Sequence, residues 1–272
     1  MKIYSPHQTE LWLTCPIKRR LVKAGYRVTL AGKRDLAALL GIGWAAGLAE
    51  YYSGKTERYQ KAIAAMEERR KELQVPDYLR AQADAIPKRL EAGLTSYADP
   101  LPESWRIVEI ETPHPEEGNI RPDLLVHTGS ELVPVDHKIK INDQSSREGQ
   151  IGYQDILRYR DSWQMYHQAR LCKRLTTQLP TAYFISRTVL EPRLTTTLLT
   201  FPMDEENYQR WELSAERVWR QMEKEDEGVE EPWQAATHHD QFGPCEFYDL
   251  CYTYKYHDHL AAERYFIPEG DG

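Results

Sequence analysis

Val133-Pro134-Val135-Asp136-His137-Lys138 reads as a strand that carries charge between valines. Side chains alternate along a strand, so Asp136 and Lys138 project from one face while Val135 and His137 project from the other. Taken alone, an acid two residues before a lysine amounts to an ion pair at a sheet edge. The preceding segment sharpens the reading. Arg121-Pro122-Asp123 opens the apolar run Leu124-Leu125-Val126, and Thr128-Gly129-Ser130 turns the chain back toward Leu132. A meander that tight brings Asp123 beside Asp136. Two carboxylates held together repel and raise a pKa unless positive charge lies between them. A divalent cation with oxygen ligands, Mg2+ or Mn2+, supplies that charge. Lys138 then stands where it can orient a water and stabilise charge developing on a phosphate.

Around this pair the chain changes texture several times. Residues 1–98 carry helical patterns, with Ser5-Pro6-His7-Gln8 as a helix start. Leu36, Leu39, Leu40, Gly43 and Gly47 form a small-and-apolar face at helical spacing, suited to close packing. Residues 105–111 alternate as a strand, 114–119 form a turn-rich stretch, and 120–126 and 132–139 are two further strands. A helix over 149–177, strands over 181–187 and 195–201, and a last helix from Asp204 complete the pattern. The expected fold is α/β, a mixed central sheet flanked by helices. One domain spans 1–272: a helical lobe over 1–98, an α/β core over 99–202, and a C-terminal helix and Cys/His-containing tail over 203–272.

The chain has 272 residues, with 35 Lys and Arg against 42 Asp and Glu, a formal charge of −7. Seven Trp, seventeen Tyr and 41 % apolar residues exclude a disordered tail protein. The apolar stretch 36–49 is interrupted by Gly41, Gly43 and Gly47 and is shorter than the roughly 20 residues of a membrane span. MKIYSPHQTELW has no apolar signal core, so a cytoplasmic protein without membrane partners is expected. Four Cys are too few for a disulfide scaffold in a chain of this length. Against the acidic average, Lys18, Arg19, Arg20, Lys23, Arg27, Lys33 and Arg34 cluster with no acid among them, which reads as a phosphate-contacting patch. Trp12, Tyr26 and Trp44 nearby are candidates for base stacking or for the core. The acidic run over 223–231 reads as a solvated helix end and linker. There is no Walker loop, dinucleotide fingerprint or serine nucleophile elbow.

Pro122-Asp123, twelve residues, then Asp136-His137-Lys138 resembles the PD-(D/E)xK nuclease signature, in particular the RecB/Cas4-like branch with its phage-type exonucleases. The resemblance covers most of the chain, since Tyr4-Ser5-Pro6 and Thr14-Cys15-Pro16 are similar to that branch's opening segment. It implies a restriction-endonuclease-like core and a metal-dependent DNA nuclease, with Asp123, Asp136 and the His137 carbonyl as metal ligands and Lys138 as the catalytic lysine. Ser162-Trp163-Gln164-Met165-Tyr166 resembles the following helix motif, which makes Gln164 a residue of the active site and Tyr166 a contact to the site or the DNA strand. Either Glu109 or Glu111 fills the place where the family sets a further acid. Lys18, Arg19, Arg20 and Lys23 would face DNA ends or single strands, and the partners implied are recombination, phage or CRISPR-adaptation proteins.

The chain departs from the branch twice. Where a His stands four residues after the first Gly of Gly41-Ile42-Gly43-Trp44, this chain has Ala45, with Glu50 as a weak substitute further along. That departure keeps open a nuclease-fold DNA-binding or partner-binding protein without catalysis. Iron–sulfur members use four Cys, whereas here Cys15, Cys245 and Cys251 leave His239 as the fourth ligand of a [4Fe–4S] cluster or a Zn2+ site. Cys172 matches no family position and is expected in the core.

Overall fold

The computed structural model describes residues 2–25, 27–28, 33–142, 156, 159–160, 162–229, 239–240, 243–244 and 265–266. The chain starts as the sequence predicts. The Gln8 N–H donates to Ser5 Oγ at 3.2 Å, and Pro6 occupies the first turn of α1 (Pro6–Thr14). Cys15 is extended and breaks the helix, and Pro16 opens α2 (Pro16–Lys23). A short strand β1 (Arg27–Val28) precedes α3 (Lys33–Tyr52), α4 (Arg58–Arg70) and α5 (Asp77–Thr95). Leu36, Leu39, Leu40, Trp44 and Leu48 of α3 are buried against Met66 of α4 and Leu79, Ile86, Leu90 and Leu94 of α5. Each fully buried side chain of this size contributes roughly 1.5–3 kcal/mol. Gly43 and Gly47 permit the close crossing: a Cβ on either would stand 2.6 Å from a methyl of Leu90 or Leu94.

These helices lie on a five-stranded sheet through Ile139, Ile141 and Leu190. Its order is β2 (Arg106–Ile110), β3 (Leu124–His127), β4 (Leu132–Asn142), β5 (Ala182–Glu191), β6 (Thr195–Pro202). β4 and β5 run parallel and every other neighbouring pair is antiparallel, so the sheet is mixed. The parallel pair requires a crossover, and α6 (Trp163–Thr176) lies between the two strands in the chain. α6 covers the face opposite α3 and α5: Met165 packs with Tyr183 and Ile185, and Leu171 and Cys172 with Leu125 and Leu132. Cys172 is therefore a core residue, and burial pushes its thiol pKa far up. The fold is α/β with a mixed sheet flanked by helices, as a restriction-endonuclease-like core requires.

The last long helix, α7 (Glu205–Asp226), begins at Asp204, whose carboxylate accepts from the Glu206 N–H. Tyr208, Trp211, Trp219 and Met222 of α7 pack with Tyr4 and Trp12 from the N-terminus. Here two sequence readings are corrected. Over residues 18–23 the basic run is not an open patch: Lys18 and Arg19 are buried, and Arg19 lies 2.9 Å from Asp226 and 3.5 Å from Glu225. Lys23 pairs with Asp226 at 2.9 Å, and of the four basic candidates Arg20 and Lys23 are exposed. Correspondingly, Glu223, Glu225 and Asp226 of the acidic run are not simply solvated. Trp12 Nε1 donates to Glu225 at 2.7 Å, Tyr4 Oη to Asp226 at 3.0 Å and the Lys2 N–H to Glu223 at 3.0 Å. Arg19 and Lys23 thus pair with Glu225 and Asp226 across the junction of α2 and α7. Trp12 and Trp44 are both buried and belong to the core.

The short strands β7 (His239–Asp240) and β8 (Gly243–Pro244) pair with each other, and β9 (Tyr265–Phe266) pairs antiparallel with β1. Among the described residues no helix is long and apolar enough to cross a membrane.

Candidate active site

The pairing Leu124↔Val135 between β3 and β4 sets Asp123, the residue before β3, level with Asp136. The His137 N–H donates to Asp123 Oδ2 at 2.6 Å. Asp136, 1 % exposed, has its two oxygens engaged differently. Lys138 Nζ stands 2.6 Å from Oδ2, and Gln164 Nε2 donates to Oδ1 at 2.8 Å. Gln164 lies in the first turn of α6, so the positive end of that helix dipole adds to the field at Asp136. Asp136, Lys138 and Gln164 thus meet on the α6 side of the sheet. His137 points to the other side and stacks on Tyr52, with ring centroids 5.4 Å apart. Tyr52 in turn donates to Asp99 at 3.0 Å and shares a 2.8 Å hydrogen bond with Tyr97.

The backbone sets Glu109 and Glu111 apart. Glu109 stays on β2, where its carboxylate lies 2.8 Å from His114 Nε2. Glu111 follows the strand in the left-handed region, with φ 48°, and its N–H donates to the Asp123 carbonyl at 3.1 Å. A residue other than glycine in that region costs about 1–2 kcal/mol and breaks the alternation that would have aligned Glu111 with Glu109. Glu111 instead pairs with Arg121 at 2.6 Å. Its pKa is pushed up to about 7, first by burial and then by Asp123 and Asp136, with Arg121 opposing. The same influences hold Asp123 and Asp136 above the ordinary carboxylate range: burial is the largest cause in both, Lys138 opposes it, and Asp123 adds to the effect on Asp136. Burial disfavours the Lys138 charge, yet Asp136 and Asp123 outweigh it and its pKa is raised.

The remaining candidates lie elsewhere. Tyr166 stacks on Trp211 of α7, with centroids 5.7 Å apart and planes 17° from parallel, so its ring belongs to the α6–α7 packing. Glu50 lies 3.6 Å from Lys55 at the end of α3. Cys15 is half-buried between α1 and α2, while Cys245, Cys251 and the side chain of His239 lie outside the described residues. Two contributors had no signal in the motif spacing: Arg121, which holds Glu111, and Tyr52, which braces His137 from α3.

Among the described residues no three His, Cys, Asp or Glu side chains form a group that could hold a metal ion by themselves. A Mg2+ ion needs no such set, because it keeps several waters and binds through one or two carboxylates together with substrate phosphates. Asp123 and Asp136 are hard oxygen donors, each kept from easy ionisation by burial and eased by positive charge. Asp123 and Asp136 are the two carboxylates that such an ion would take, with the His137 carbonyl as a further oxygen.

No protein-family model matches the chain, and no curated protein matches it. Among solved structures, a "putative exonuclease" from Eubacterium rectale is 15 % identical, with 92 % of this chain and 87 % of that one covered at a TM-score of 0.48. The protein SSO0001 is 13 % identical, with 66 % of this chain and 74 % of that one covered at a TM-score of 0.21.

Proposed function

We propose that this chain is a metal-dependent nuclease that hydrolyses DNA phosphodiester bonds. What supports the reading is the contact chain from Asp123 through the His137 backbone to Asp136, Lys138 and Gln164, at 2.6, 2.6 and 2.8 Å. Asp123 and Asp136 would hold Mg2+ or Mn2+ with the His137 carbonyl. The bound ion supplies Lewis acidity, offsetting charge on the phosphodiester and making a water acidic enough to attack. The protein's own groups do the rest. Gln164 fixes the rotamer of Asp136 by occupying one oxygen. Lys138, charged and about one-third exposed, keeps an ammonium beside the reacting phosphate, where it orients the water and stabilises the growing negative charge. Tyr52 stacks beneath His137 and keeps the strand that carries Asp136 and Lys138 in place.

The finer reading is exonuclease action of the RecB/Cas4-like type on DNA ends or single strands, in recombination, repair or CRISPR adaptation with a protein partner. It rests on the motif resemblance, as does a cluster or zinc site on Cys15, Cys245, Cys251 and His239. The test is cleavage of end-labelled linear and closed circular DNA with Mg2+ or Mn2+, beside the Asp136→Ala variant. Metal-dependent loss of label from linear DNA alone, absent in the variant, is expected. Equal cleavage by both proteins, or none with either ion, refutes the proposal. Iron and zinc analysis of anaerobically purified protein tests the cluster, and protein free of both metals excludes it.

A further inference from the structure

Ile120-Arg121-Pro122-Asp123 carries a cation to the rim of the site on a backbone with little freedom. Ile120 is buried, and its carbonyl accepts from the His114 N–H at 2.9 Å. Pro122 is buried as well, and a proline fixes its own φ and keeps the residue before it extended. Between these two anchors Arg121 is exposed, with 62 % of its side chain open to solvent. Its Nε lies 2.6 Å from Glu111 Oε2. Glu111 is half-buried beside Asp123, whose carbonyl accepts its N–H at 3.1 Å. The left-handed φ of 48° takes Glu111 out of the β2 alternation, and strain of this kind gathers at functional sites.

An ion pair with so exposed a cation adds little to stability, so holding the fold together does not account for it. The pairing also uses only part of the guanidinium. Arginine presents five N–H donors in a rigid fork, and a contact through Nε leaves the terminal nitrogens available at the solvent edge. That edge matches two non-bridging oxygens of a phosphate. The site has reason to attract one. Glu111, Asp123 and Asp136 outnumber Lys138, and a polynucleotide backbone approaching them meets repulsion. The Arg121 charge counters it, acting on both Glu111 and Asp123. We propose that Arg121 binds a backbone phosphate at the rim of this site, its Nε kept on Glu111 while its terminal nitrogens grip a phosphate flanking the one that is cut. The proposal rests on the nuclease reading for its ligand class.

The experiment is anisotropy of a fluorescent single-stranded oligonucleotide titrated with the full chain, in EDTA so that no cleavage runs, across a salt series. Arg121→Gln is expected to bind about tenfold more weakly and to reduce the slope of log K against log salt by about 0.7, the share of one phosphate contact on a single strand. Glu111→Gln and the double variant separate contact from shielding. If Arg121 only masked the Glu111 charge, the double variant would bind like Glu111→Gln alone. With a phosphate contact it stays about tenfold weaker than Glu111→Gln. Should Arg121→Gln not melt cooperatively, Arg121→Ala takes its place with the same thresholds. Binding by the folded variant within about twofold of wild type overturns the proposal, as does a double variant that matches Glu111→Gln or a wild type that does not bind the strand. The two readings separate cleanly. A wild type that binds through Arg121 but cuts nothing with Mg2+ or Mn2+ sinks the nuclease reading alone. One that cuts while Arg121→Gln binds normally sinks only the arginine contact.

Discussion

Arg19→Met removes a charge from the junction of α2 and α7 while leaving the apolar stem. The guanidinium is 2 % exposed, and the side chains of its partners Glu225 and Asp226 are 9 % and 15 % exposed. Removing one member of a buried pair costs about 3–5 kcal/mol, because the other charge is left without compensation. Lys23 at 2.9 Å from Asp226, the Tyr4 hydroxyl and the Trp12 indole N–H all remain. The expected cost is therefore at the lower end, about 3 kcal/mol. Unfolding entropy of about 2.1 cal/mol/K per residue translates that into a melting temperature lower by about 5 °C for a chain of this length. The assay is thermal unfolding followed by circular dichroism, paired with the salt dependence of DNA binding. Because Arg19 faces Asp226 and not solvent, the variant should melt early and keep the wild-type salt slope. A melting temperature within about 1 °C of wild type, or a shallower salt slope with unchanged melting, would refute the internal ion pair and return Arg19 to the DNA surface.

Three further outcomes follow from the same coordinates. Gln164→Leu leaves Asp136 without its 2.8 Å donor, so Mn2+-dependent cleavage should fall about 10–100-fold with little change in oligonucleotide affinity, and wild-type turnover would refute the positioning role. Gly118 has φ +69°, and a Cβ there would stand 2.6 Å from the Tyr4 carbonyl carbon. Gly118→Ala should lower stability in urea unfolding by about 2–4 kcal/mol, and an unchanged midpoint would contradict that contact. His167, buried between Trp211 and Trp219 with Glu117 Oε2 4.0 Å away, has its pKa pushed down to about 3 by burial and then by Arg170. Its folded pKa is below its unfolded value, so the unfolded chain takes up the proton first as pH falls. The stability it provides is whole above about pH 6.5 and declines toward pH 3, by about 1.4 kcal/mol per pH unit. His167→Phe should flatten the acid limb of a pH series of urea midpoints, and an identical limb would show that another group carries it.

Much of the site was legible because it is built from short-range geometry. Strand alternation alone separates Asp136 and Lys138 from His137, and a four-residue turn leaves little freedom in how β3 meets β4. The Ser5 cap and the close glycine face of α3 are local in the same sense. Glu111 was not separable from Glu109, because a single residue with φ 48° overrides a two-residue period. The packing of Tyr166 was not legible for a related reason. A helix position two residues after Gln164 points about 200° around the axis, and that direction met Trp211.

By itself the amino-acid order determined the strand that carries Asp136 and Lys138, the meander that returns Asp123 to them, and the helical layer that Gly43 and Gly47 bring close. These follow from backbone stereochemistry and apolar periodicity, which act over a few residues. The tertiary structure alone decided where charge is spent. The basic run near residue 20 and the acidic run near residue 225 are some 200 positions apart, and each looked solvent-facing in isolation. Packing of Tyr4 and Trp12 against α7 brings them together out of water, where opposite charges pair instead of binding solvent or phosphate.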